Sequence, residues 1–443
     1  MSRQVVVWIA VAACAAGFGM MIAFGASGGA LAFMAILALL MFGGIGWAMR
    51  TEADSVWLPK WAVLGFAAKI VGTIARYYMV AVFYGGGDSY RYFRVGSELA
   101  ARWRDGELLP MVDNGAFGTR VVEAFTGTLF TIFNPDFLGG FLIFSILAYF
   151  GQLMFYAGFR RWAEPHQLKP YALLIFLLPT YAFWPSSIGK DSIVVFALGG
   201  AAYFAARILE AFEIRWIPGL AIFLTILGLI RIHVAGLVVA ALAVAGLLAR
   251  LPDDVDPLAR IRRFLFVGAG AAAGLLVLTV FPDIFGIDLN SSDALDAFTS
   301  DVVRRTSESG TVASGGAVSS VADVPGAIAL ALFRPFAFEA SEIQHYFAAL
   351  ETSIFAGLTI WKLPAIARNI RNWRANGYLV FCTIYVIGFS IAFSVVRNLG
   401  IIARQRGQVL AFFLAIVIGL GWEKREVRKL ELPVVSRRPT ADV

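Results

Sequence analysis

The residues able to do chemistry gather in five short stretches of an otherwise apolar chain. The first reads Gly85-Gly86-Gly87-Asp88-Ser89-Tyr90-Arg91-Tyr92-Phe93-Arg94. Three glycines let the backbone turn and approach a ligand closely, and Asp88 and Ser89 suit the N-cap of a following helix. On that helix Asp88, Arg91 and Tyr92 share one face at i, i+3 and i+4. One reading is a capped loop helix with an Asp–Arg pair. The other makes Asp88 a general base, with Arg91, Tyr92 and Arg94 as ligands for an anionic substrate. The second stretch is Phe183-Trp184-Pro185-Ser186-Ser187-Ile188-Gly189-Lys190-Asp191-Ser192. It is not a Walker loop, which needs Gly where Trp184 stands and Ser or Thr where Asp191 stands. A plain turn between two spans needs neither Lys190 nor Asp191, so both become candidate substrate ligands.

Three shorter stretches follow. Arg231-Ile232-His233 occupies a connection that barely leaves the apolar run, where an arginine either snorkels or finds a partner. Phe333-Arg334-Pro335-Phe336-Ala337-Phe338-Glu339 offers Arg334 as an anion ligand and Glu339 as the second-choice acid–base residue, with Glu342 and Glu351 beyond it. Arg397-Asn398-Leu399-Gly400 and Arg404-Gln405-Arg406 place three arginines at the mouth of the last apolar run. Arginine forks and lysine ammonium groups suit phosphate oxygens. Lys69 and Arg76, seven residues apart on one helical face, would extend the basic lining downward.

These stretches need a scaffold, and composition names it. The chain has 443 residues, 59% hydrophobic and 15% charged, against roughly a quarter charged in a soluble protein; its mean hydropathy is +0.75. The apolar runs are continuous rather than alternating, which excludes a β-barrel. The expected fold is all-α and polytopic, with about twelve spans of roughly 20 residues: 5–25, 29–49, 60–83, 136–158, 170–186, 190–209, 216–231, 233–250, 263–281, 344–362, 377–396 and 405–422. Lys and Arg concentrate in the alternate short connections that put both termini in the cytoplasm. The five stretches then share the outer face.

Residues 1–422 read as one transmembrane domain and 423–443 as a basic cytoplasmic tail. Long outer loops run over 84–135 and 282–343. Within them 115–133 and 326–338 are apolar enough for partial helices, and the Ser/Gly-rich 306–320 is expected to be mobile. Cys14 and Cys382 are far apart, and His166, His233 and His345 are scattered, so no metal or other cofactor is expected. The net charge of +7 fits cytoplasmic anchoring rather than nucleic acid.

The order of the motifs Asp88-Ser89-x-x-Tyr92, Trp184-Pro-Ser-Ser-Ile-Gly-Lys190-Asp191, Arg334-Pro-Phe-Ala-Phe-Glu339 and Asn398-Leu-Gly-x-x-x-Arg404-Gln-Arg406 resembles that of bacterial exopolysaccharide and O-antigen polymerase-like membrane proteins. It is more distantly similar to the GT-C type glycosyltransferases. The resemblance implies a bacterial inner-membrane enzyme that transfers or polymerises sugars from a polyprenyl (di)phosphate donor to a glycan or lipid acceptor, among membrane lipids. It also implies that Asp88 acts near the acceptor. A transporter or flippase of a lipid-linked or anionic substrate is the alternative; it would spread polar residues through mid-membrane depth.

Overall fold

The computed structural model describes residues 57–107, 117–250, 321–340, 343–394 and 398–422, with isolated positions between them. The expected spans 5–25 and 29–49, most of 263–281, the segment 306–320, Glu342, Arg397 and the basic tail lie outside the described residues. What is described is helical, without a strand. In order these are α1 (Leu58–Tyr78, continued as a π-helix over Met79–Tyr84), α2 (Asp88–Arg104), α3 (Phe117–Phe133), α4 (Phe137–Arg160), α5 (Pro165–Leu177) and α6 (Pro179–Phe183). Then come α7 (Lys190–Ala211), α8 (Ile217–Leu248), α9 (Val324–Phe333), α10 (Ile343–Asn369), α11 (Gly377–Phe393), α12 (Leu399–Gln405) and α13 (Leu410–Gly421). Among the described residues four helices are long and apolar enough to cross a membrane, or five if the pair bent by 59° at the α12–α13 junction is one span.

Helices in an apolar solvent gain little from hydrophobicity and associate by close packing, which favours small residues at the contact. The α4–α7 contact is of this kind. A Cβ on Gly199 would lie 2.2 Å from the Gly151 carbonyl oxygen, and one on Gly151 would lie 2.4 Å from that of Val195. Ala197, Ala201, Ala202, Ala205 and Ala206 are fully buried along α7. This contact anchors the helix whose first residues are Lys190 and Asp191.

One expected span is broken for a visible reason, and two others meet at the break the sequence places between them. Residues 170–186 divide at Leu178 into α5 and the one-turn α6, because Pro179 cannot donate to the ladder. The segment 184–189 that follows is not an exposed turn: Trp184, Ser186, Ser187 and Ile188 are all buried. The expected pair 216–231 and 233–250 is one run of helical residues, α8, interrupted at Arg231, whose backbone is non-helical (φ −145°, ψ 80°). The chain reverses there. Arg231 meets Asp191 at the start of α7, whereas Ala249 lies with Leu209 and Phe212 at its end. The apolar stretches 115–133 and 326–338 do contain helices, α3 and α9.

Candidate functional site

Irregular backbone inside an apolar body must satisfy its polar groups from the protein or line a cavity. The α6–α7 segment does so through side chains from α1, α2 and α10 and from α7 itself. Lys69 donates to the carbonyls of Tyr181 (2.6 Å) and Pro185 (2.9 Å). Ser89 donates to Ile188 O (2.9 Å) and Ser192 to Ser187 O (2.8 Å). The Glu351 carboxylate accepts from the Thr180 backbone N–H (2.8 Å) and from its hydroxyl, capping α6. Lys69 is therefore a structural clamp, 1% exposed, and not the continuation of the basic lining that the sequence suggests.

Around the Lys190 end of α7 five elements converge. Asp191, buried, accepts from Arg231 Nη2 at 2.9 Å and from Arg404 Nε. The other arm of Arg404 lies 3.9 Å from Asp88. Lys190 donates to the Thr119 hydroxyl at 3.0 Å. Arg76 stacks over Phe183 and Trp184, its guanidinium carbon 5.2 and 5.1 Å from the ring centroids. Arg76 Nε and Arg231 Nη1 are buried with no hydrogen-bond partner. Four cations thus face two carboxylates, and two N–H groups remain to be filled. Asp88, its side chain 68% exposed, is the accessible carboxylate; Asp191 is consumed by its two arginines.

Helix termini add to this field. The N-caps of α2 and α7 are Gly87 (φ 112°) and Gly189 (φ 155°), neither of which offers a side-chain cap. Orphan N–H groups at helix N-termini attract anions. The expected capping by Asp88 or Ser89 is corrected: Asp88 is the first helical residue, and Ser89 turns to Ile188. The start of α3 joins them through Gly118, where a Cβ would stand 2.7 Å from the Ile230 carbonyl oxygen. Tyr92 is buried beneath, its ring close to Gly189. Burial, then the charge of Asp88, pushes its phenol up to about 12, so it stays a neutral hydroxyl.

Of the expected site residues, Asp88, Tyr92, Lys190, Asp191, Arg231 and Arg404 come together here. Others do not. Arg91 pairs with Glu123 at 2.7 Å rather than with Asp88, and Arg94 is exposed on α2. His233 packs edge-on toward Phe393, ring centroids 5.9 Å apart. Glu339 is held by the Arg334 guanidinium (2.6 Å) and by the Phe336 N–H (3.1 Å) as a local counter-ion. Arg406, 1% exposed, is buried against Glu351 (3.0 Å), Thr180 (3.1 Å) and the Arg334 carbonyl (2.9 Å); it stands at no outer mouth. Thr119 is absent from the sequence reading, since a threonine in an apolar helix gives no signal. No family model, curated protein or solved structure matches the chain.

Proposed function

We propose that the chain is a multi-pass enzyme of the bacterial inner membrane, with about twelve spans and cytoplasmic termini. It transfers or polymerises sugars from a polyprenyl (di)phosphate donor on the outer face. The observation that carries this reading is the pair of buried, unfilled N–H groups on Arg76 and Arg231, set beside Lys190, Arg404 and two uncapped helix starts. Such an array suits phosphate oxygens and stabilises the charge that develops on a leaving phosphate. Asp191 fixes Arg231 and Arg404 in position, and Asp88, exposed beside Arg404, accepts the proton of the acceptor hydroxyl. The transporter alternative gains less support: among the described residues the deep charges Lys69, Arg406 and Glu351 are held by protein partners.

Complementation of a deletion strain tests the proposal. Asp88→Ala, Lys190→Ala and the charge-conserving Arg404→Lys are expected to abolish surface glycan while membrane levels stay normal. Full glycan in all three variants would overturn it.

A further inference from the structure

At the other end of α7 an open cavity of about 390 Å³ lies against Arg161, Trp162, Glu210, Phe212, Ala249 and Arg250. The Lys and Arg distribution puts this end in the cytoplasm. Its charges are unbalanced. Arg161 grips Glu210 with Nη2 at 2.7 Å and Nε at 3.1 Å. Arg374 donates to Leu248 O (2.8 Å) and Arg263 to Ala249 O (2.9 Å). Those carbonyls carry dipoles and no charge, so both arginines keep theirs. Among the described residues the cavity is lined by two guanidinium groups, Arg161 and Arg250, and one carboxylate, Glu210, which Arg161 holds. Arg263 and Arg374 sit behind the wall on the Ala249 and Leu248 carbonyls, and Arg250 makes no ion pair with a described residue. Trp162, whose indole donates to Ala206 O at 3.0 Å, and Phe212 give the cavity an apolar wall. An apolar wall under surplus guanidinium groups, at the level of the interface, fits an amphiphile with an anionic head.

We infer that this cavity is a phosphate site for the headgroup of an anionic phospholipid of the inner leaflet, independent of the site at the Lys190 end. A soluble phosphate ester shares that chemistry. The acidic residues Asp253, Asp254 and Asp256 follow Arg250 in the sequence and lie outside the described residues.

Native mass spectrometry of the full chain in neutral detergent tests this, with phosphatidylglycerol, phosphatidylcholine and glycerol 3-phosphate titrated separately. Phosphatidylglycerol is expected to bind, phosphatidylcholine not, and Arg250→Ala to weaken the phosphatidylglycerol complex about tenfold, the loss of one charge-assisted hydrogen bond. Arg250→Lys should recover part of it, and Trp162→Phe should lose quenching by brominated phosphatidylglycerol. Glycerol 3-phosphate binding as tightly as the lipid would keep the phosphate site and assign it to a soluble ester. Equal retention of both lipids, or of phosphatidylglycerol by wild type and Arg250→Ala, would overturn the inference.

Discussion

Two carboxylates within reach of one arginine have opposite situations, and that difference is testable. Asp191 is buried between Arg231 and Arg404, while Asp88 is largely exposed. Removing one partner of a buried ion pair leaves an uncompensated charge, a loss of about 3–5 kcal/mol. Asp191→Ala should therefore lower the unfolding temperature in detergent markedly, whereas Asp88→Asn should leave it within about 0.5 kcal/mol of wild type and still abolish sugar transfer. A stable, active Asp191→Ala would refute its role as the positioning residue. Lys69→Met is a purely structural case: it strands the carbonyls of Tyr181 and Pro185, each worth about 1–3 kcal/mol when buried unsatisfied. Its signature should be a low membrane level that cooling restores. Charges stood out against the apolar sequence, so Asp88, Lys190, Arg231 and Arg404 were legible. Arg404 and Arg406 were not distinguishable. Two residues apart on a helix they point roughly 200° away from each other, and only the fold shows that Arg404 faces Asp191 while Arg406 faces Glu351.

At the scale of elements, the site is assembled from broken helices. Pro179 ends α5, Arg231 interrupts α8, and the α12–α13 pair bends by 59°. Each break turns polar backbone or a charged side chain toward the same region, the use to which interrupted membrane helices are suited. Hydrophobic runs revealed that helices exist, and the partial helices α3 and α9 were visible for the same reason. The break at Leu178 was signalled by Pro179 but hidden by the apolar residues on both sides. Which helices touch was not readable, because small residues carry the contacts and glycines occur throughout. Gly118 makes this concrete. Gly118→Val would force the start of α3 off the Ile230 carbonyl and carry Thr119 away from Lys190. Transfer activity should fall at least tenfold with the protein still inserted; unchanged turnover in a donor-substrate assay would show that α3 is not part of the site.

For the whole molecule the decisive property is sidedness. The cationic site and the basic cavity occupy opposite ends of α7, separated by about 30 Å of helix, the thickness of a bilayer core. Between them the described charges are paired or hydrogen-bonded within the protein, as with Lys69, Arg406 and Glu351. Recognition of phosphate at either end of α7 is therefore a separate proposal with its own test. The proposed chemistry depends on which end faces outward, and the excess of Lys and Arg in the alternate connections predicts the Lys190 end. Single cysteines decide it, in a background where Cys14 and Cys382 are replaced. A cysteine at Arg94, exposed on α2, should react with a membrane-impermeant maleimide in spheroplasts, and one at Lys169, exposed on α5, only after permeabilisation. The reverse pattern would place Asp88 and its arginines in the cytoplasm, and the outer-face reading would fall with it.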